Sequence, residues 1–289
     1  MLGMWRIEQW RSNRRFKAVL KAASQAVAQF PINMERHPHG LDAPLIVTLT
    51  SYPARFPTLA LTLRSLLDQT VQVDKTLLWI AHADMSLLPE DVIKLQEYGL
   101  EIRECADIRS YKKLIPSLKM FSNAYLITAD DDVYYDKDWL KSFVDCVNTE
   151  KRNVISFRSH MAFLDADGFF MPYEQWHYET AATADEGPRA VIFPTGVGGI
   201  LYPPNSFGDE VFDEESFMSI CPHGDDIWFF WMAKRHGKTH SNIGLKFEQI
   251  PWPRTQDTAL WNENMLNGRN DAQIKGMEAR YGVLPTFAS

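Results

Sequence analysis

The sequence predicts an α/β fold: a mixed, mainly parallel sheet flanked by helices and preceded by an amphipathic helix. Three observations carry this. From residue 45 onward, short apolar runs rich in Ile, Val, Leu and Thr alternate with stretches whose apolar residues recur at helical spacing, the pattern of successive βαβ units. Several of the strand-like runs end in clustered polar residues, and ligands of open α/β sheets gather at strand carboxyl ends. A chain of 289 residues with 45% hydrophobic and 12% aromatic content can bury a sizeable core.

Taken in order, residues 1–30 carry Arg6, Arg11, Arg14, Arg15, Lys17 and Lys21 against only Glu8, with Phe16, Val19, Leu20, Ala23, Val27 and Phe30 at helical spacing and Trp5 and Trp10 before them. Such a helix either lies on an anionic membrane surface or packs on the domain with its cations solvated. A linker rich in Pro, His and Gly follows over 31–44. Residues 45–50 read as the first strand, and 56–68 as a helix with Leu59, Leu63, Leu66 and Leu67 inward. Residues 76–81 read as the second strand, 89–98 as a helix, 100–104 as a strand, 111–121 as a helix and 124–128 as a strand. Beyond these, 138–147 reads as helical and 154–157 as a strand. Short antiparallel strands are expected in the aromatic-rich region up to Phe193, with helices over 225–236 and 271–280. The organisation expected is a basic helix and linker over 1–43 and one domain in two halves, 44–136 and 137–289.

The formal net charge of −7 argues against a nucleic-acid partner. No segment reaches the roughly 18 consecutive apolar residues of a spanning helix, and no signal-type apolar region follows the basic start. The expected location is cytoplasmic, either free or peripheral on the inner face of the cytoplasmic membrane. Cys105, Cys146 and Cys221 are far apart and form no Cys-x-x-Cys pair, which supports neither a disulfide framework nor a thiolate zinc site.

The most informative motif is Asp130-Asp131-Asp132, placed between the apolar run 124–129 and Val133-Tyr134-Tyr135. Adjacent carboxylates at a strand end repel and raise one another's pKa unless a cation neutralises them, and oxygen ligands select Mg²⁺ or Mn²⁺. Asp-x-Asp spacing also occurs in surface turns; the buried strand before this one sets it apart. Four strand ends carry polar groups: Thr50-Ser51-Tyr52, His82-Ala83-Asp84, Asp107 and the triplet. A diphosphate wants cations, and Arg55, Lys112 and Lys113 precede the triplet. Each has a plainer reading: Arg55 caps a turn, the lysines form a solvated face, and His82 is a polar strand-end residue.

On these residues the chain resembles the GT-A type glycosyltransferases, a Rossmann-like architecture that uses nucleotide sugars and a divalent metal. The resemblance covers most of 45–280 and is nearest to bacterial transferases of capsule, O-antigen and lipopolysaccharide synthesis. It implies that Asp130 and Asp132 hold Mn²⁺ or Mg²⁺ on the diphosphate of a UDP-sugar donor, with Asp131 touching donor sugar or orienting the turn. Thr48-Leu49-Thr50-Ser51-Tyr52-Pro53-Ala54-Arg55 resembles the opening segment that meets base and ribose. Tyr111-Lys112-Lys113-Leu114-Ile115-Pro116 resembles the lysine-bearing segment beside the diphosphate, and His82 joins the nucleotide contacts. Pro194-Thr195-Gly196-Val197-Gly198-Gly199 resembles a glycine-rich turn near the acceptor, and Cys221-Pro222-His223-Gly224-Asp225-Asp226 a helix opening on an acidic pair. Asp226 then matches the base of inverting members, with Asp225 as the alternate. Exostosin-like members with a similar aspartate triplet are retaining, so both outcomes stay open.

A base must be ionised to take the proton of an attacking hydroxyl, and a helix N-terminus favours the ionised form. The same two residues also suit simple N-terminal caps. His223, His236 and His240 are candidates for a third metal ligand. The segments 256–264, with Trp261, and 267–271, with Arg269, resemble the closing segment of the bacterial relatives. Phe169, Phe170, Tyr173, Trp176 and Tyr178 form either a sugar-stacking acceptor surface or a core cluster. The implied partners are a nucleotide sugar, a glycan or glycolipid acceptor, and an anionic membrane met by 1–30. A sugar nucleotidyltransferase would need a Gly-rich triphosphate loop after the first strand, which Ser51-Tyr52-Pro53-Ala54-Arg55 is not. From another class, a non-catalytic glycan-binding or membrane-surface scaffold remains the alternative.

Overall fold

The computed structural model describes residues 2–32, 35–147, 153–253, 255 and 268–285, with side chains from residue 14 onward. A central seven-stranded sheet runs in the order β11-β7-β10-β6-β2-β4-β5. Its members are β2 (Leu45–Thr50), β4 (Lys75–Ala81), β5 (Leu100–Cys105), β6 (Tyr125–Thr128), β7 (Val154–Ser156), β10 (Ile200–Tyr202) and β11 (His240–Asn242). Every pairing is parallel except the two made by β10, which runs against β6 and β7. Two small ladders complete the β structure: β1 (His37–Pro38) with β3 (Val71–Gln72), parallel, and β8 (Ser159–Phe163) with β9 (Ala190–Pro194), antiparallel.

The central strands are apolar on both faces because helices cover both. In β2, Leu45, Val47 and Leu49 face one core layer and Ile46 the other, the alternation that a strand's period of two imposes. The first layer is formed by α2 (Phe56–Leu67) and α5 (Trp139–Val147), with Leu59, Leu63, Leu66, Leu140 and Phe143 essentially buried. Pro57 in the first turn of α2 has no N–H to lose there, which favours the start. The second layer is dominated by α7 (Asp225–Arg235), whose Trp228, Phe229, Phe230, Trp231 and Met232 are consecutive and buried. A helix apolar all round is a core helix, and α6 (Glu214–Ile220) and α8 (Arg269–Tyr281) pack on it.

The helix expected over 111–121 is two pieces, a 3-10 turn Arg109–Lys113 and α4 (Ile115–Met120). Pro116 is the reason: it cannot donate back into the preceding turn and restricts the residue before it. The helix expected over 89–98 is likewise α3 (Glu90–Ile93) followed by a 3-10 stretch, Lys94–Tyr98, closed by Gly99 at φ 98°. The anticipated antiparallel pairing in the aromatic-rich region is β8 with β9. β10, β11 and α6 carried too short a pattern to be read from sequence.

The N-terminal helix α1 (Leu2–Ala28) packs through its C-terminal half. Ala23 and Val27 are buried with Ile250 and Trp252, and Val19 and Leu20 are half-buried beside them. Phe16, expected inward, is 42% exposed. Trp5, Trp10 and the first basic residues lie outside the described side chains. Among the described residues no helix is long and apolar enough to cross a membrane. All three cysteines are free.

Candidate functional site

The site lies at the carboxyl ends of β2 and β6 and is built from backbone outward. Asp130 follows β6, whose direction beside β2 is fixed by the pairings Leu45 with Tyr125 and Thr48 with Thr128. The turn that carries the triplet is then strapped down. The amide of Asp130 donates to the Tyr135 hydroxyl at 2.8 Å, and the amide of Trp252 donates to the Asp132 carbonyl at 2.9 Å. Thr62 in α2 places its hydroxyl 3.0 Å from both the Asp131 and Val133 carbonyl oxygens and accepts from Trp252 Nε1 at 2.9 Å. A turn with its polar backbone satisfied by buried groups holds its side chains still.

The three carboxylates have different partners. Asp131 accepts from Ser51 Oγ at 2.5 Å, and Asp132 pairs with Arg55 Nη1 at 2.6 Å across side chains 8 and 14% exposed. Asp130 lies 3.5 Å from Lys113 Nζ. Burial pushes the Asp131 carboxyl up to about 7, with Asp132 adding repulsion and Ser51 working the other way. Asp132 is raised by burial and by Asp130, against the attraction of Arg55. Arg55 itself is raised: burial works against its charge and Asp132 more than offsets it. Asp130 and Asp132 are thus mutually repelling carboxylates on one rim.

Lys113 is the centre of the arrangement. Its ammonium lies 2.8 Å from Asp225 Oδ2 and 4.0 Å from Asp226 Oδ1 besides its approach to Asp130. The three acids hold it charged well above the ordinary lysine range despite its burial. Its backbone is pinned from two sides. The Thr48 hydroxyl donates to the Lys113 carbonyl at 2.6 Å, and Tyr111 Oη donates to the Cys221 carbonyl at 2.7 Å while its ring stacks on Phe217. The break at Pro116 frees the 3-10 turn to make both contacts.

Asp225 and Asp226 open α7, as anticipated. Asp226 Oδ2 accepts from the Gly196 amide at 2.7 Å, so the glycine-rich turn before β10 reaches the acidic pair. A Cβ on Gly196 would stand 3.0 Å from both Lys113 Nζ and Asp226 Oδ1, so a side chain there displaces those groups. The helix start was expected to favour ionisation of Asp226. Instead burial, followed by repulsion from Asp225, raises it to about 7, outweighing Lys113 and the Gly196 amide.

The other anticipated residues fall at various distances from this cluster. Lys112 turns to Asp107, forming a short ion pair at the end of β5, so of the two lysines it is Lys113 that joins the aspartates. Thr50 donates its hydroxyl to the Trp79 carbonyl at 2.8 Å, and Tyr52 is 40% exposed above Arg55, whose Nε is 3.4 Å from its hydroxyl. His82 pairs with Glu104 at 3.3 Å on an exposed surface. His223 lies 3.3 Å from Arg109 Nη1, His236 ends α7, and His240 is buried in β11 with its ring 4.8 Å from Phe230. Among the described residues no three His, Cys, Asp or Glu side chains are grouped as a metal cage. Arg269 is the first residue of α8, whereas 256–264 and Asn267 lie outside the described residues.

Of the five aromatics, Trp176 is buried and Phe170 packs on the second core layer, while Phe169 and Tyr178 are 43 and 40% exposed. Tyr173 lies between them, with Trp176 at 4.6 Å and Tyr178 at 5.6 Å between ring centroids. Burial, followed by the neighbouring Tyr178, raises its hydroxyl above the ordinary range. Sequence reading missed the struts Thr62 and Trp252 and the Gly196 amide. Thr62 had a signal, a polar residue on the Leu59 and Leu63 stripe of α2; Trp252, more than 100 residues beyond the triplet, had none.

No protein-family model matches the chain, and no curated protein sequence matches it. Among solved structures it is similar to the crystal structure of residues 1–349 of S. aureus TarS, with a TM-score of 0.48 and 17% identity over 71% of this chain and 59% of that one. The same TarS segment in complex with UDP gives a TM-score of 0.45 and 15% identity over the same shares. The chain therefore spans less than two thirds of the structure it is similar to.

Proposed function

We propose that this chain is a nucleotide-sugar-dependent glycosyltransferase of the GT-A type that moves a hexose, galactose-type or GlcNAc-type, from a UDP-sugar to a hydroxyl of a surface-glycan acceptor, with inversion. The observation that carries the reading is the meeting at Lys113 of Asp130 from the end of β6 with Asp225 and Asp226 from the start of α7. A strand-end acid that faces a diphosphate and a helix-start acid that faces an acceptor are what such a transfer needs on its two sides.

Asp226 takes the proton of the acceptor hydroxyl as that oxygen attacks the anomeric carbon opposite the departing diphosphate. Its Oδ2 is fixed by the Gly196 amide, which orients the carboxylate. Asp225 holds Lys113 in place. Arg55 and Lys113 supply fixed positive charge beside the leaving group, and Ser51, Tyr52 and Thr50 border the nucleoside. The repelling pair Asp130 and Asp132 suits Mg²⁺ or Mn²⁺, which are commonly bound by one or two carboxylates together with substrate phosphates rather than by an all-protein cage. When bound, that ion neutralises charge on the diphosphate.

The test is calorimetry of UDP binding with and without Mn²⁺, followed by a donor screen and NMR of the product's anomeric centre. Metal-dependent binding and an inverted product support the reading. A chain that binds no nucleotide points to a scaffold, and a retained product removes Asp226 from its role.

A further inference from the structure

Behind the central lysine of the site lies a buried polar chain that the transfer chemistry does not use. A strand's period of two puts Thr48 of β2 on the same face as Ile46, toward the second core layer that also takes Leu77 and Trp79 of β4. Thr48, Ser117 and Trp79 are 0, 0 and 3% exposed. A hydroxyl or indole N–H left unpaired at that depth is costly, so each needs a partner within the protein.

They partner one another. Trp79 Nε1 lies 2.8 Å from Ser117 Oγ, Ser117 Oγ lies 2.8 Å from Thr48 Oγ1, and Thr48 Oγ1 lies 2.6 Å from the Lys113 carbonyl oxygen. The two ends fix the direction of the protons. An indole N–H can only donate and a carbonyl can only accept, so Ser117 accepts from Trp79 and donates to Thr48, which donates to Lys113. Each hydroxyl thus gives one hydrogen bond and takes one. Thr48 also stands astride the break at Pro116, bonded to the 3-10 turn on one side and to α4 on the other. At its carbonyl, Trp79 accepts the Thr50 hydroxyl at 2.8 Å, so one residue of β4 holds both the end of β2 and the start of this relay.

We propose that Trp79, Ser117 and Thr48 are positioning residues for Lys113: the relay sets where the lysine's backbone leaves the 3-10 turn, and so where its ammonium stands among Asp130, Asp225 and Asp226. This rests on the reading of Lys113 as a cation beside the diphosphate. All three side chains are too deeply buried to touch a ligand, so loss of the relay acts on phosphate recognition and spares the nucleoside.

The test compares UDP with uridine, each titrated into the full chain with Mn²⁺ present and followed by ligand NMR. Thr48→Val removes the donor to Lys113 and should weaken UDP binding by about tenfold, the upper range for one hydrogen bond, while uridine binding and the circular dichroism stay as in the wild type. Ser117→Ala leaves the last hydrogen bond in place and should weaken UDP binding by a smaller factor, again without change for uridine. Thr48→Ser restores the hydroxyl and should recover most of the UDP affinity. Equal losses for UDP and uridine, UDP affinity unchanged in the folded Ser117→Ala and Thr48→Val variants, or a Thr48→Ser variant no better than Thr48→Val overturns the relay while leaving the transferase reading intact. A wild-type chain that shows no preference for UDP over uridine overturns the reading of Lys113 and the relay with it.

Discussion

Lys113 Nζ lies 2.8 Å from Asp225 Oδ2, and the two side chains are only 9 and 11% exposed. Taking both charges out of water is costly, and their attraction repays it only while both are present. Lys113→Met should therefore lower stability to urea by about 3–5 kcal/mol, the usual cost of stranding a buried charge. Asp225→Asn in the same chain should recover part of that loss in a double-mutant cycle. If Lys113→Met unfolds with the wild-type midpoint, the pair is not the keystone described.

The pH dependence follows from Asp226. Its carboxyl is raised to about 7, so the form able to accept a proton predominates only above that pH. Transfer should rise through an acid limb near pH 7, and Asp225→Asn should move the limb lower by removing the neighbouring negative charge. For stability the sign is reversed. A raised carboxyl holds its proton in the fold after the unfolded chain has given one up near about pH 4, so this group's contribution is complete below that pH and lost as pH rises through about 7. A limb near pH 4, or one indifferent to Asp225→Asn, contradicts the assignment.

Two glycines in one turn should respond differently to alanine. Gly199 has φ +97°, and its Cβ would fall 2.7 Å from Trp139 Cζ2 and 3.0 Å from the Thr128 carbonyl. Gly199→Ala should cost at least about 2 kcal/mol of stability through strain and overpacking. Gly196 has no such backbone requirement, but its Cβ would push Lys113 and Asp226 apart. Gly196→Ala should leave the melting temperature close to wild type and lower kcat by up to about 100-fold, as misplacement by an ångström can.

Thr62→Val tests the strut under the triplet. It leaves Trp252 Nε1 and the Asp131 and Val133 carbonyls without their shared hydroxyl, at a cost of about 1–3 kcal/mol. Nucleotide affinity should fall with it, although Thr62 itself touches no ligand. An affinity unchanged in the folded variant separates the strut from the site.

Much of the arrangement around the aspartate triplet was legible in the sequence because it is local. The apolar run of β6 ends in the triplet, and the parallel pairing of the run at 45–50 with β6 brings Ser51 and Arg55 beside it. What was not legible depends on contacts across the whole chain. Nothing at Lys112 and Lys113 says which of the two turns inward; that is decided by the break at Pro116 and the anchoring of the 3-10 turn on Thr48 and Cys221. The first-turn location of Asp226 suggested an easily ionised group, because local sequence reports the helix dipole and not the burial or the aspartate beside it. Short strands such as β10 and β11, three residues each, offer too few alternations to establish a period.

The reversed strand β10 has a consequence for how this site can vary. Because β10 begins where β6 ends, with Ile200 opposite Thr128, the segment entering it arrives at the same edge that the parallel strands depart from. The glycine turn therefore meets Asp226 by where it lands, not by the route taken there. The exposed side chains of the preceding segment, Phe169 and Tyr178 among them, can be exchanged while Gly196 still lands on the acidic pair. A chain built in this way can change the surface beside its acidic pair without disturbing the pair itself.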